Sequence, residues 1–198
     1  MDAAGVEVSA ACVIVRLAVA PGQGNHAGMS NDLILTVAGP DRPGLVERVA
    51  AAVAAHGGNW LESRLIHLGG HFAGVVRVEA PAAERAALRE ELAALSADGL
   101  SVQMTAAAVV ARGREFRLSV TGLDHPGIVS QIAAAVARAG LNVEEFSSEV
   151  TSAPMSGEPL FTAEARLSGP AGADLAALRA GLEKLSAELM VEAALSEP

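Results

Sequence analysis

The chain lacks several residue types and patterns, and each absence narrows its class. Its 198 residues include a single cysteine, Cys12, which excludes a framework of internal disulfides and favours a reducing compartment. No hydrophobic run reaches the ~20 residues that a membrane helix needs, and an acidic start at Asp2 argues against a signal peptide. We therefore expect a cytoplasmic protein that does not associate with membranes.

Positive charge is also scarce. The chain has 14 Lys and Arg residues against 23 Asp and Glu residues, which gives a formal net charge of −9. These basic residues form no face or stripe of the kind that nucleic-acid binders carry, so direct binding to DNA or RNA is not expected. Hydrophobic residues make up 51% of the chain, which excludes a disordered protein.

What the sequence does contain is a duplication. Residues 36–62 and 119–145 align at a constant offset of 83 without a gap, and 14 of the 27 aligned positions are identical. This period is too long for a solenoid repeat and suits a small globular domain. Six of the positions that are identical in the two copies hold turn and cap residues, namely glycine, aspartate, proline and asparagine. Residues of this kind favour a binding role over catalysis.

Both copies predict the same order of elements, β-α-β-β-α-β. Alternating apolar residues predict the strands, and apolar residues at helical spacing predict the helices. Gly57 and Gly140 are predicted to end the first helix of each copy, and Gly69-Gly70 to form a tight hairpin. This order is the split β-α-β arrangement of ferredoxin-like folds, an α+β class with an antiparallel sheet and both helices on one face. The other face is left to be covered by pairing.

The repeat sets the expected domain boundaries. Residues 32–105 form the first domain, 106–114 a linker and 115–196 the second domain. Residues 1–31 have no counterpart in either copy and are expected to be an N-terminal extension, open to disorder. Met29 stands just before the first copy and is a candidate for the natural start.

A loop with the pattern G-x-D-x-P-G stands before the first helix of each copy. Asp41 and Asp124 are predicted to cap the free amides of the helix, and Pro43 and Pro126 to occupy its first turn. The N–H groups at a helix start also favour the carboxylate of a bound amino acid, and the following glycine leaves space for it. The alternative is that these residues only shape a turn.

Two asparagines extend this candidate site. They stand where the second strand of each copy begins, and each side chain offers a donor and an acceptor for a ligand's ammonium group or side chain. The candidate ligand-binding residues are Asp41, Arg42, Pro43, Gly44, Leu45 and Asn59 in the first copy, and Asp124, His125, Pro126, Gly127, Ile128 and Asn142 in the second.

Other features are weaker. The connection Ser152–Pro159 is longer than its counterpart and is either a lid or partner contact or a tolerated insertion. His67 and His71 flank the hairpin, but two histidines alone are a poor pattern for zinc, so no metal is expected. Neither a nucleophile elbow, a P-loop, a zinc-protease helix nor a dinucleotide fingerprint is found, so we expect neither an enzyme nor a cofactor.

Together, these motifs resemble the ACT domain: a strand, G-x-D-x-P-G, a helix rich in Ala and Val, then Gly and Asn at the next strand. Two such domains over residues 33–196 resemble the glycine cleavage system transcriptional repressor family. The segment Thr151–Phe161, T-S-A-P-M-S-G-E-P-L-F, strengthens that resemblance.

The resemblance implies an allosteric sensor that binds a small amino acid, with glycine as the expected ligand, where ACT domains pair near the first loop. It also implies repression of transcription through contact with a DNA-binding activator. Two arrangements are open: the two domains pair within one chain, or a dimer completes the site. The uncovered sheet faces and edges favour a homodimer. One alternative is a regulatory subunit that controls an amino-acid or one-carbon metabolic enzyme in trans, and another is an interaction module without a ligand.

Overall fold

The structure, a computed structural model, describes residues 7–8, 13–14, 32–108, 113–153, 157–170, 172–189 and 191–196. The chain divides into two compact units. The first unit is residues 25–110, and the second is residues 111–198 with 1–24. Most of the predicted extension, with Cys12 and Met29, and residues 109–112 of the predicted linker lie outside the described residues. Two short strands, β1 (Glu7–Val8) and β2 (Val13–Ile14), pair antiparallel.

The first unit has the predicted order of elements. Its antiparallel sheet has the strand order β4-β5-β3-β6, so β4 and β6 are its edges. Both helices pack on one face of this sheet, where a core that includes Leu35, Val49 and Leu88 is buried. The elements are β3 (Asp32–Pro40), α1 (Leu45–Ala55), β4 (Asn59–Leu68), β5 (His71–Glu79), α2 (Arg85–Ala94), a 3-10 turn (Leu95–Asp98) and β6 (Ser101–Ala106).

The second unit repeats this topology with the strand order β10-β7-β9-β8. Its core includes Phe116, Leu118 and Leu178. Gly181 on the second helix lets that helix approach Ala135 on the first, because an added methyl group would lie 3.3 Å from the Ala135 side chain. The elements are β7 (Arg114–Leu123), α3 (Ile128–Arg138), β8 (Asn142–Ser152), β9 (Pro159–Gly169), α4 (Leu175–Leu189) and β10 (Val191–Ser196).

The predicted fold class is therefore confirmed: the chain is an α+β protein with two ferredoxin-like β-α-β-β-α-β units. The predicted glycine turns also form. Gly57 and Gly140 follow the ends of α1 and α3 with φ of 65° and 72°, and the N–H of Gly58 bonds to the carbonyl of Val53 at 2.9 Å, as in a Schellman motif. Among the described residues, no helix is long and apolar enough to cross a membrane.

Candidate functional site

The loop before the first helix has the same backbone in both units, but the aspartates do not cap the helices as predicted. The helices begin at Leu45 and Ile128, and the residues at their N-caps are Gly44 and Gly127, with φ of 89° and 92°. Neither helix has a side-chain capping bond. The reason is spacing, since three residues separate each aspartate from its helix. Pro43 and Pro126 correspondingly lie in the turn before the helix rather than in its first turn.

This geometry leaves the helix starts open. The first intrahelical bonds of α1 and α3 run from the N–H of Arg48 to the carbonyl of Gly44 and from the N–H of Gln131 to the carbonyl of Gly127, so the N–H groups before them have no acceptor within the helix. In the second unit the N–H of Ile128 donates to the carbonyl of His125 at 3.4 Å. A methyl group added to either cap glycine would meet nothing within 4 Å. A small anion therefore has both donors and space at each helix start.

The first unit has an open depression of about 340 Å³ at this loop. It brings together two carboxylates, one guanidinium group and an aromatic ring. Leu45 is buried at 5% exposure, so its side chain belongs to the core. The lining residues are Asp41, Arg42, Gly44, Leu45, Val46, Glu47 and Phe72.

Asp41 connects this loop to the neighbouring hairpin. Its N–H donates to the carbonyl of Gly70 at 2.9 Å, and its Oδ2 lies 3.7 Å from Nε2 of His67. His67, weighed above as a metal ligand, is thus placed beside the candidate ligand loop instead. Among the described residues, no group of three His, Cys, Asp or Glu residues is arranged to hold a metal ion.

The second unit has a different set of charges at the same place. His125 replaces Arg42, and its Nδ1 lies 3.1 Å from the carbonyl oxygen of Pro126. Its Nε2 is buried and has no hydrogen-bond partner among the described residues. Ser130 stands where the first unit has Glu47, so the first turn of α3 carries no acidic residue. Ile128, like Leu45, is buried in the core.

The longer connection of the second unit lies next to this loop. The N–H of Asp124 donates to the carbonyl of Pro159 at 2.9 Å, where the first unit uses Gly70 of its hairpin. The base of the connection is closed, because the N–H of Ala153 bonds to the carbonyl of Glu158 at 2.8 Å. Residues 154–156, at its tip, lie outside the described residues.

The two asparagines do not join the loops within a unit. Asn59 pairs with Glu79 at one end of β5, whereas Pro40, just before the loop, pairs with His71 at the other end. At about 3.3 Å per residue, β5 separates the two by roughly 26 Å. The second unit has the same separation along β9. Asn142 there donates to Oε1 of Glu144 at 3.0 Å, and Ser168 bonds to the same carboxylate.

Sequence reasoning missed three residues that contribute to the first depression: Val46, Glu47 and Phe72. Val46 is 44% exposed although it fits the apolar stripe of α1. The position of Glu47 in the first helical turn is a sequence signal that could have identified it. Phe72 enters the site only because the hairpin folds β5 back beside β3, where it pairs with Gly39.

A second ionic cluster lies at the other end of α1. His56 bonds through Nδ1 to Glu84 at 3.1 Å and through Nε2 to Glu91 at 2.8 Å. The Glu84 carboxylate, followed by that of Glu91, raises the pKa of His56 above its ordinary value. The matching position in the second unit is Ala139, so this link between the two helices belongs to the first unit alone.

Comparisons with known proteins agree with this geometry. The family model of the ACT domain matches residues 31–105. An unknown protein from Galdieria sulphuraria is 30% identical over 84% of this chain and 98% of that chain, with a TM-score of 0.76. A protein provisionally named a glycine cleavage system transcriptional repressor is 19% identical over 83% of this chain and 95% of that chain, with a TM-score of 0.60. None of the curated proteins matches the sequence.

The repeated β-α-β-β-α-β units with open glycine loops define a protein built from ferredoxin-like regulatory modules. The chain belongs to the ACT-domain family, by the match of its first unit and by its likeness along nearly the whole of the Galdieria sulphuraria protein. The likeness to the protein named as a repressor is one of fold.

Proposed function

We propose that this chain is a non-enzymatic regulatory protein that senses a small amino acid and modulates a transcriptional regulator by protein–protein contact. Glycine is the expected ligand, from the resemblance in sequence motifs described above. The observation that carries the proposal is the uncapped helix start beside an unobstructed glycine, which occurs in both units.

The chemistry of the depression in the first unit suits a zwitterion. The ligand carboxylate is held by the free N–H groups at the start of α1, with Arg42 at the rim. The ligand ammonium group is held by Asp41, which lines the same depression. A ligand that carries only a carboxylate or only an ammonium group leaves either the carboxylate or the N–H groups of the depression without a binding partner.

An asparagine takes part in a ligand site at a loop only if it comes from a different unit. A small amino acid cannot span the roughly 26 Å between Asn59 and the loop of the same unit. We propose that the loop and the asparagine of one ligand site come from two different copies of the chain. Ligand binding then favours the paired state, because a ligand shifts an equilibrium toward the arrangement that it binds better.

Calorimetric titration of the full chain with glycine, serine and alanine tests the sensor. Trp60 gives a parallel fluorescence signal, since it is the only Trp, the chain has no Tyr, and it adjoins Asn59. We expect saturable binding of one amino acid. Absence of heat and of a fluorescence change with every amino acid, at several temperatures, would contradict the proposal.

Gly127→Ala tests whether the amino acid binds at the start of α3. The new methyl group stands in the open space at the start of α3, and we expect affinity for the amino acid to fall about tenfold or more, equal to about 1.4 kcal/mol. Gly140→Ala is the matched control, since it lies at the other end of α3, has a similar φ and also meets nothing within 4 Å. Equal affinity in both variants, with the fold intact, would place the site elsewhere.

Affinity purification separates this proposal from the alternative regulatory subunit. Recovery of a DNA-binding activator whose retention changes with the amino acid supports the proposed function. Recovery of an amino-acid or one-carbon metabolic enzyme under the same conditions supports control of that enzyme in trans.

A further inference from the structure

The second unit has an apolar cleft of about 190 Å³ between α3 and β8. All nine of its lining residues are hydrophobic, and they include core leucines of β7 and β9. Val129 on α3 and Val143 and Phe146 on β8 line it and are exposed at 44%, 41% and 36%. The cleft is therefore apolar and open to solvent. Because a water molecule needs polar partners to stay bound, such a space favours an apolar occupant.

The first unit has a side chain of its own at this place. Trp60 matches Val143, since each follows the asparagine that begins its strand and stands beside the bulge. Trp60 pairs with Val78 and Val143 with Leu167, and both partners are fully buried, so both side chains lie on the helix side of their sheets. Trp60 is half-buried against the core of the first unit. Its indole ring therefore covers the region that the second unit leaves open.

Two further exchanges shape the cleft. Val76 of β5 is buried in the first unit, and its match on β9 is Ala165, which lines the cleft. The exchange of tryptophan for valine removes an indole ring, and the exchange of valine for alanine removes two more carbon atoms. Phe146 stands where the first unit has Ser63, and it gives the cleft an aromatic wall. Aromatic rings pack well against such a wall, edge to face or offset.

The size and polarity of the cleft define the class of ligand. A cavity of roughly 150 Å³ with aliphatic and aromatic walls is enough to hold a benzene molecule. The cleft, at about 190 Å³, therefore has room for a small planar ring system, and its open side lets one polar group of the ligand stay in water. A charged group inside the cleft would lose its hydration without gaining a partner, because every lining residue is hydrophobic. The fitting ligand is thus aromatic and uncharged.

We infer that the cleft between α3 and β8 is a second ligand site, which binds a small uncharged aromatic molecule of about the size of indole. The first unit shows which group fills this place, because the ring of Trp60 occupies the matched position. The cleft is separate from the candidate amino-acid site, since residues 124–127 of the loop are not among its lining residues. This inference goes beyond the proposed amino-acid sensing and does not depend on it.

Calorimetric titration of the full chain with indole as the probe tests this site. We expect saturable binding of one indole per chain. Val143→Trp gives the second unit the side chain of the first, and we expect it to lower the affinity for indole about tenfold or more, because the new ring fills the cleft. Val150→Trp is the matched control, since Val150 lies on the same face of β8 outside the cleft. Absence of saturable binding to the wild type, or equal affinity in the two variants, would overturn the inference.

A second measurement locates the probe in the unchanged chain. With labelled methyl groups, we expect nuclear Overhauser effects in NMR between the ring protons of indole and the methyl groups of Val129, Ile132 and Val136, which line the cleft from α3. Overhauser effects to methyl groups of the first unit instead would overturn the inference. Titration with glycine decides the proposed function separately, so a chain that binds glycine but not indole overturns the cleft site alone.

Discussion

The second strands of the two units, β4 and β8, have the same backbone but opposite polarity at four matched positions. Leu65 and Ser148, on the helix side, differ in the other direction. On the outer face of the sheet, the first unit exposes Ile66 and Leu68, at 61% and 75%, where the second has Glu149 and Thr151. On the helix side, the first unit has Ser63 and His67 where the second has Phe146 and Val150. A fifth pair follows the same rule on the outer face, where Val75 of β5 matches Glu164 of β9.

This inversion shows how a duplicated domain acquires two different surfaces without changing its fold. Because side chains alternate between the two faces of a strand, exchanging polar and apolar residues moves the exposed apolar area from one face to the other. The first unit therefore exposes apolar side chains on its outer sheet face, and the second exposes them on the helix side of its edge strand. The following experiments test whether the two units also differ in stability and in ligand chemistry.

The largest effect is expected from the cores. Leu35→Ala and Leu118→Ala remove matched leucines that are 0% and 1% exposed. Each should lower the free energy of unfolding of its own unit by about 2–5 kcal/mol, because the lost methyl groups leave a cavity. Hydrogen exchange by mass spectrometry assigns the loss to one unit. A loss of protection shared equally between the units would show that they unfold together.

A smaller, pH-dependent difference is expected at His56. Its raised pKa means that its stabilising link to Glu84 and Glu91 is fully present below the unfolded-state value of 6.5 and is lost as the pH rises through the folded-state pKa. The difference in free energy of unfolding between wild type and His56→Ala should therefore shrink as the pH rises above the unfolded-state value of 6.5 and through the folded-state pKa.

Two measurements control this result. The pKa of His56, read from its ring protons by NMR, should fall when Glu84 and Glu91 are both changed to Gln. Hydrogen exchange in the second unit, which has Ala139 at the matching position, should not follow the same pH profile. A pH-independent effect of His56→Ala would contradict the ionic link.

The smallest effect is expected at the helix starts. Ser130→Glu gives the second loop the acidic first turn that the first loop has in Glu47. A carboxylate there competes with a bound anion for the positive end of the helix, so ligand affinity at this loop should fall about two- to fivefold, equal to 0.3–1 kcal/mol. Ser130→Gln is the uncharged control. Unchanged affinity in calorimetry would show that the ligand carboxylate is not held at the start of α3.

The sequence predicted the elements well because their signals are local. Alternation, helical spacing and the glycines at positions 57, 69, 70 and 140 fixed the strands and turns. The prediction that the aspartates cap the first helices was wrong, because a capping residue must stand directly before the helix and Asp41 stands four residues before Leu45. Asn59 was placed near the loop although the eleven residues of α1, about 16 Å long, lie between them. Phe72 could not be predicted because it depends on strand order.

The distance between Asn59 and the loop makes the ligand affinity of the proposed sensor depend on the concentration of the protein. On the proposed two-chain assignment, an asparagine of the second copy adds to the site only in the dimer, so the dimer binds the ligand more tightly. The apparent affinity for the ligand therefore rises with the concentration of the protein itself, by mass action. A cell that makes more of this chain would respond to less of the amino acid, so the abundance of the sensor sets its own threshold.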